Sequence, residues 1–171
     1  MTTTVPATTT LHTRLAGSGD EARLLDMIRA FYAEDRIRFD PLRVGGALRA
    51  LLSDPACGAI LLLGDGAGDD AAGYLALTRG FSLEQGGHFA LLDELYLGPA
   101  ARGRGWGAQA LEAAIALARS WQVATLRLEV HHHNPRAKAL YQRLDFADDH
   151  RDLLTLDLRA SDLPAPTPDA R

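Results

Sequence analysis

Apolar residues recur every three or four positions in four stretches of the chain, the spacing that buries one face of a helix. The clearest stretch follows a glycine-rich loop and places Leu111, Ile115 and Ala118 on one face. The last begins at Asn134-Pro135, where asparagine suits the N-cap and proline the first helical position. Helices are therefore predicted over 21–32, within 39–55, from the end of the loop to about 121, and from 134 to about 144.

Shorter apolar or alternating runs separate these helices and predict strands. A Gly/Asp-rich turn joins the runs around 58–63 and 72–79, and further runs cover 88–98, 125–131 and 153–158. Helices that alternate with strands predict an α/β domain with a mixed sheet, which we place at 11–158. The Thr-rich start, 1–10, and the Pro-rich end, 159–171, are predicted to be disordered tails.

Composition and charge narrow the class of protein. The chain has 171 residues, of which 47% are hydrophobic and 23% charged, and this suits one globular domain with a sizeable core. A net charge of −4 does not indicate a nucleic-acid or membrane partner, and no apolar run approaches the roughly 20 residues of a membrane span. The single Cys57 cannot form an internal disulfide and the start lacks a signal-peptide pattern, so a cytoplasmic protein is expected.

The loop 102–108, "RGRGWGA", is the first stretch with chemical content. Its three glycines let the backbone approach a ligand closely and adopt positive φ. The helix that follows presents unpaired N–H groups and the positive end of its dipole, to which Arg102 and Arg104 add charge. The loop therefore predicts a phosphate site.

Two nucleotide-binding motifs compete as explanations of this loop. A triphosphate-binding loop needs Gly-Lys-Ser/Thr, which the loop lacks. The spacing Gly103-x-Gly105-x-x-Ala108 formally matches a dinucleotide fingerprint, and Glu129 could be its ribose-binding acid. That fingerprint normally follows its strand directly, whereas "GPAAR" intervenes here and only 68 residues follow Gly103. A dinucleotide is therefore disfavoured.

Two segments together resemble the GNAT superfamily of acyl-CoA-dependent N-acyltransferases. "ARGRGWGAQAL" is similar to the pyrophosphate motif Arg/Gln-x-x-Gly-x-Gly/Ala, with Arg102, Gly105 and Gly107 at the fixed positions. "NPRAKALYQRLDF" is similar to the segment Asn-x-x-Ala-x-x-Leu-Tyr-x-x-x-Gly-Phe, except that Asp145 stands where glycine is usual. Aspartate tolerates the left-handed conformation moderately well, so this departure should alter only the turn. The resemblance covers about 20–158.

The resemblance implies a fold and a division of labour. Relatives have a mixed, largely antiparallel sheet that splays open at its middle, with helices beside it. Acetyl-CoA binds in the cleft as co-substrate, and the resemblance implies no metal. The strand before the loop would bind the pantetheine arm, the loop would hold the pyrophosphate, and the second segment would lie near pantetheine and sulfur. The corresponding residues are Leu95, Tyr96, Leu97, Arg102, Gly103, Arg104, Gly105, Trp106, Gly107, Ala108, Asn134, Ala137 and Tyr141.

Two acids, Asp93 and Glu94, lie in the apolar strand before the loop. Strand alternation gives each of them a mostly apolar face, so desolvation should raise their pKa values. Asp93 is predicted to share one face with Phe89, Leu91, Leu95 and Leu97, and Glu94 to share the other with Leu92 and Tyr96.

Amine acetylation gives these acids a chemical role. Most amines arrive protonated and must lose a proton before they attack a thioester; a carboxylate can take that proton, and a nearby acid can protonate the leaving thiolate. The resemblance favours Glu94 over Asp93 as the catalytic base and places Tyr141 near the sulfur. The structural alternatives are that one of the acids bonds buried backbone or an arginine such as Arg79 or Arg127, and that Tyr141 is a core aromatic.

The three consecutive histidines at 131–133 look like a metal site but are not predicted to be one. Adjacent residues on a strand point to opposite faces, so three of them cannot easily converge on one ion. The histidines are expected to line the exit of the cleft.

By the resemblance, the acceptor should bind along 31–40 and 79–88, which carry acids, arginines and aromatic residues. That mixture suits a small cationic amine, or an amine that bears a carboxylate, such as an amino acid or a peptide end. The predicted function is N-acetyl transfer from acetyl-CoA to such a primary amine, with a homodimer left open. The alternative is a catalytically inactive GNAT-fold module that binds acyl-CoA or a protein partner.

Overall fold

The computed structural model describes residues 10–66 and 71–158. The predicted tails, apart from Thr10, and four residues of the turn between the apolar runs 58–63 and 72–79 therefore lie outside the described residues. The four predicted helices are confirmed, with ends within a few residues of those expected. The elements in chain order are β1 (His12–Leu15), α1 (Glu21–Asp35), α2 (Pro41–Ser53), β2 (Gly58–Gly64), β3 (Ala71–Ser82), β4 (Gly87–Leu97), α3 (Trp106–Ser120), β5 (Leu126–Leu128) and α4 (Pro135–Gln142).

The five strands form one sheet in chain order, β1-β2-β3-β4-β5. The first four pair antiparallel with their neighbours, whereas β5 runs parallel to β4. A parallel neighbour requires a crossover connection, and α3 supplies it. The predicted α/β fold, with a mixed and largely antiparallel sheet flanked by helices, is confirmed.

Helices cover both faces of the sheet because their apolar stripes need a partner. On one face, α1 and α2 bury Leu24, Ile28 and Leu48 against β2 and β3. On the other, α3 buries Leu111 and Ala114 against the leucine-rich side of β2, β3 and β4. Among the described helices, none is long and apolar enough to cross a membrane.

The sheet opens between β4 and β5. The two strands pair over only three residues, Ala90–Leu92 with Leu126–Leu128, and the strand predicted over 125–131 is correspondingly shorter. Beyond this contact the strands part, and no described strand pairs with the outer edge of β4 over 93–97. The backbone groups of that edge are left for another partner.

A β-bulge at Asp93 interrupts β4. Ala76 of β3 pairs with Glu94 and Leu77 pairs with Leu92, which leaves Asp93 as the extra residue. The extra residue reverses the alternation of side chains, so that Leu92 faces α3 while Glu94 faces α1. The predicted grouping of Leu92 with Glu94 is therefore wrong. The same reversal puts Phe89 and Leu91 on the opposite strand face from Leu95 and Leu97, although all four were predicted to share one face.

One strand was missed in the sequence, and one predicted strand does not form. The edge strand β1 is exposed along its length, so its sequence shows no alternation of apolar and polar residues. The run predicted as the last strand, 153–158, pairs with no described strand, and Leu154 and Leu158 are 89% and 80% exposed. Just before it, Arg151 donates two bonds to Glu84 in the turn between β3 and β4. An apolar run alone does not make a strand without an edge to pair with.

Candidate active site

A cavity of about 110 Å³ lies where β4 and β5 part. Its walls come from the end of α1, from β4, from the segment after β5 and from α4. Of the predicted site residues, it brings together Glu94, Leu95, Asn134, Ala137 and Tyr141. A larger cavity of about 1330 Å³ adjoins it and shares several of the same walls. Residues far apart in the chain thus meet at the opening of the sheet.

Both carboxylate oxygens of Glu94 accept hydrogen bonds. The Tyr32 hydroxyl donates to Oε1 and the Tyr74 hydroxyl donates to Oε2, each over 2.7 Å. Burial raises the pKa of Glu94, and the neighbouring charge of Asp93 adds to the rise, whereas the two phenol bonds oppose it. Burial and the nearby carboxylate also raise the pKa values of both tyrosines, so both remain donors at neutral pH.

Asp93, the bulge residue, lines the cleft between β4 and β5. The walls around it still desolvate its carboxyl group, which raises the pKa of Asp93 even though its side chain has exposed surface. The two arginines considered as alternative partners lie elsewhere. Arg79 lies over the Trp121 ring, 4.0 Å from its centre, and Arg127 lies 5.6 Å from the centre of the Phe89 ring.

Tyr141 lies on α4 and lines both cavities. Its ring packs edge-on against Phe146, with the ring centres 6.0 Å apart. Burial raises the pKa of Tyr141, and the negative charge of Asp35 at the end of α1 raises it further. The phenol therefore keeps its proton at neutral pH, in the same cavity as the Glu94 carboxylate.

The two ends of α4 follow from its sequence. The side-chain oxygen of Asn134 accepts a bond from the Ala137 N–H over 3.1 Å, as expected of an N-cap. Asp145, just beyond the helix, has a φ of 65°, the left-handed conformation anticipated for the position where glycine is usual. The side-chain NH₂ group of Asn134 is a donor that could bond a ligand.

The loop 102–108 leads directly into α3, whose N-cap is Gly105. Gly103 and Gly105 have φ angles of 75° and 77°, which residues with a side chain rarely adopt. Gly105 has no side chain with which to cap the first N–H groups of α3. A Cβ added to Gly103 would meet only open space, so the loop backbone is accessible. The first N–H groups of a helix have no partner within the helix, so an accessible helix start of this kind suits a pyrophosphate.

The two arginines of the loop make protein contacts. Arg102 donates from Nε to the Leu97 carbonyl over 2.8 Å and from Nη2 to Glu34 over 2.5 Å. The Arg104 guanidinium lies 5.4 Å from the centre of the Trp106 ring. Arg102 thereby joins the loop to β4 and to the end of α1.

The remaining predicted cofactor residues lie at the end of β4 and in the first turn of α3. Gly107 faces α4, since a Cβ there would lie 3.1 Å from Cδ2 of Leu140, and its absence lets α3 and α4 approach closely. Tyr96 and Trp106 are buried. Leu97 packs with the core under α3, and Ala108 lies in the first turn of that helix.

The three histidines follow β5 in a turn, because the strand ends at Leu128. The expectation that they alternate between two strand faces is therefore wrong, and the rings of His131 and His133 stack 5.0 Å apart. His131 and His132 line the larger cavity. Within residues 10–66 and 71–158, no group of three or more His, Cys, Asp or Glu side chains is placed to hold a metal ion.

The last turn of α1 makes contacts that the sequence did not indicate. Tyr32 bonds Glu94, Glu34 bonds Arg102, and Asp35 lies beside Tyr141. Helical spacing indicated which face of α1 enters the core, but not which strand and loop its last turn would reach. For Tyr74, the available signal was one tyrosine in the otherwise aliphatic run 72–77.

A model of the acetyltransferase (GNAT) family matches residues 23–146. That range contains β2 to β5, the loop and every wall of the smaller cavity. The chain belongs to the GNAT acetyltransferase family. GNAT proteins usually take acetyl-CoA as co-substrate. A search of curated protein sequences finds no match to this chain.

Solved structures share the fold of this GNAT chain. An integron cassette protein from the mobile metagenome of Cole Harbour Salt Marsh is 32% identical, with a TM-score of 0.74 over 85% of this chain and 90% of that one. An aminoglycoside acetyltransferase from an uncultured soil metagenomic sample, in complex with sisomicin, is 13% identical, with a TM-score of 0.72 over 86% and 96%. The ribosomal-protein-alanine N-acetyltransferase of Brucella melitensis biovar Abortus is 16% identical, with a TM-score of 0.65 over 86% and 100%.

Proposed function

We propose that this GNAT protein transfers the acetyl group of acetyl-CoA to a primary amine of a small molecule or peptide by direct attack. The cavity between β4 and β5 carries the proposal, because it gathers a carboxylate, Glu94, and a protonated phenol, Tyr141, from separate elements. Membership of the family supports the class of reaction. The catalytic domain is proposed to be 11–158, acting in the cytoplasm.

Glu94 is the proposed base. Its ionised carboxylate takes a proton from the acceptor ammonium, directly or through a water, and the neutral nitrogen then attacks the thioester carbon. As the C–N bond forms and the C–S bond breaks, Tyr141 gives its phenol proton to the sulfur. The second proton leaves the nitrogen for solvent as the amide forms, and proton exchange with solvent restores both the phenol and the Glu94 carboxylate. Asp93 is the second candidate for the base because it opens into the same cleft.

Acetyl-CoA, when bound, supplies the activated acetyl group. The free edge of β4 at Leu95–Leu97 is proposed to bond the pantetheine arm, although Arg102 already occupies the Leu97 carbonyl. The backbone of 102–108 is proposed to hold the pyrophosphate, with Arg104 adding charge. Asn134 and Ala137 are proposed to border the arm near the sulfur.

The acceptor amine is proposed to enter through the larger cavity. Asp35 and Asp93 line it beside Glu94, and they favour a cationic ligand near the proposed base. Two structural neighbours are named as acetyltransferases of an aminoglycoside and of a ribosomal-protein alanine, but at 13% and 16% identity they share only the fold. The acceptor is therefore to be identified by screening.

A screen of primary amines with acetyl-CoA tests the proposal. Polyamines, amino acids, aminoglycosides and short peptides are incubated with the protein, while free thiol and the mass of the amine are followed. At least one amine should gain an acetyl group at nitrogen, with one thiol released per acetyl transferred. Calorimetric binding of acetyl-CoA without acetylation of any amine would contradict the proposal and support a non-catalytic acyl-CoA-binding module.

A further inference from the structure

The Glu94 carboxylate is held by two hydroxyl groups from different parts of the fold. Tyr32 lies in the last turn of α1 and Tyr74 lies in β3, and each donates to a different oxygen over 2.7 Å. The carboxylate cannot turn about its terminal bond without breaking both contacts. Because β3 and α1 are packed in the same core, the two donors are themselves held in place.

We propose that Tyr32 and Tyr74 are positioning residues for acetyl transfer, which hold the Glu94 carboxylate in one orientation at the cleft and favour its ionised form. This inference rests on the proposed function, in which Glu94 accepts the proton of the amine. Each carboxylate oxygen retains a second lone pair, so a proton can be accepted while both phenol bonds persist.

The charged groups around Glu94 make the two donors necessary. Asp93 lies beside it on β4, and Asp35, Glu129 and His131 line the same cavity from α1 and from the segment after β5. Burial disfavours ionisation of Glu94 most, and the charge of Asp93 adds to that effect. Tyr141 contributes a neutral phenol from α4. The two tyrosine hydroxyls are therefore the contacts that favour the charged form.

The two tyrosines differ in exposure, and this decides which variant is more informative. Tyr74 is completely buried, so Tyr74→Phe removes a hydroxyl from the core and lowers stability as well. Tyr32 is half-buried and lines the larger cavity, so Tyr32→Phe retains the ring while removing only its bond to Glu94. Its ring contact with Phe39, over 6.1 Å, should persist.

The pKa of Glu94 can be measured without a known acceptor. Carbon-13 NMR of protein labelled at the glutamate carboxyl carbons gives a titration curve, and Glu94→Gln identifies the signal by its loss. Tyr32→Phe should raise the pKa of Glu94 by about 1, since one bond to the charged form is lost. Ser120→Ala, which removes a hydroxyl bonded to Leu117 at the end of α3, should leave it unchanged.

Kinetics with an amine from the screen tests the positioning role itself. In Tyr32→Phe, the rising limb of kcat/KM against pH should move to higher pH, with kcat lowered about tenfold at neutral pH and recovered at high pH. Acetyl-CoA affinity should not change. If Tyr32→Phe moves neither the NMR titration nor the limb while Glu94→Gln is inactive, this inference alone is wrong. If Glu94→Gln is fully active, the proposed function of Glu94 fails and the positioning role fails with it.

Discussion

The Tyr141 hydroxyl has one proposed task, to protonate the leaving sulfur. Tyr141→Phe retains the ring and its edge-on contact with Phe146, so the fold of α4 should persist. We expect kcat to fall about 10²-fold, at the lower end of general acid catalysis, while acetyl-CoA affinity stays within about twofold of the wild type. Steady-state kinetics and calorimetry on the same preparation check this. A variant with wild-type kcat would assign Tyr141 to packing alone.

A second residue, Asp20, makes the stability of the fold depend on pH. Its carboxylate accepts two bonds from Arg14, at 2.9 and 2.7 Å, and one from the Gly17 N–H at 2.9 Å. The hydrogen bond from Arg14 is the main cause that lowers the pKa of Asp20 to about 2. A depressed pKa adds stability above the unfolded pKa of about 4, and this stability is lost as the pH falls through 2.

Asp20→Asn should therefore lower the free energy of unfolding at pH 7 by about 1 kcal/mol, a value discounted because Arg14 is half exposed. The difference from the wild type should shrink between pH 4 and pH 2. Urea unfolding at several pH values measures it. Asp26→Asn, on the exposed side of α1, makes the same change in charge and should have little effect. A pH-independent loss in Asp20→Asn would rule out the ion pair as its cause.

At the scale of elements, the loop and the start of α3 should decide acetyl-CoA affinity. A side chain at Gly107 would press on Leu140 and displace α3 from α4, since even a Cβ lies 3.1 Å from Cδ2 of that residue. Gly107→Val should therefore weaken acetyl-CoA binding at least tenfold, or about 1.4 kcal/mol, by calorimetry.

Gly46 offers the matched control on α2, where an added Cβ meets nothing within 4 Å. Gly46→Ala should leave acetyl-CoA affinity unchanged and stabilise the fold by about 0.4–1 kcal/mol, because it restricts the unfolded chain. A folded Gly107→Val protein with wild-type affinity would remove the pyrophosphate role of this loop.

The elements themselves were largely predictable, because their signals are local. The apolar stripe of α3, the cap at Asn134 and the left-handed position of Asp145 all follow from neighbouring residues in the sequence. The bulge at Asp93 was not predictable, because alternation along one strand does not reveal its register with the next. The run at 153–158 looked like a strand by pattern, but a strand also needs a partner edge.

At the scale of the whole molecule, the candidate site depends on contacts between distant segments. Residue types and spacing indicated the loop and the two strand acids, whereas the resemblance to the GNAT family favoured Glu94 and Tyr141. The bond from Tyr32 to Glu94 joins residues 62 positions apart, and the bond from Arg102 to Glu34 joins residues 68 apart. Such pairs arise from how α1 lies across the sheet, which hydrophobic periodicity does not specify.

The central claim is that this protein acetylates an amine in the β4–β5 cleft with Glu94 as the base. The most direct test is the pH profile of kcat/KM for wild type and Glu94→Gln, with an amine from the screen and acetyl-CoA affinity measured in parallel. Burial raises the pKa of Glu94, so the wild-type profile should rise through a limb above the usual glutamate range, or through the pKa of the amine itself.

Glu94→Gln keeps the shape of the side chain but cannot accept the proton. Its kcat should fall by about 10²–10⁴ at neutral pH, with the loss smaller at high pH, where the amine is already neutral, and with acetyl-CoA affinity almost unchanged. Near-full activity of Glu94→Gln at neutral pH would contradict the account and make Asp93 or a water held by a histidine the better candidate for the base.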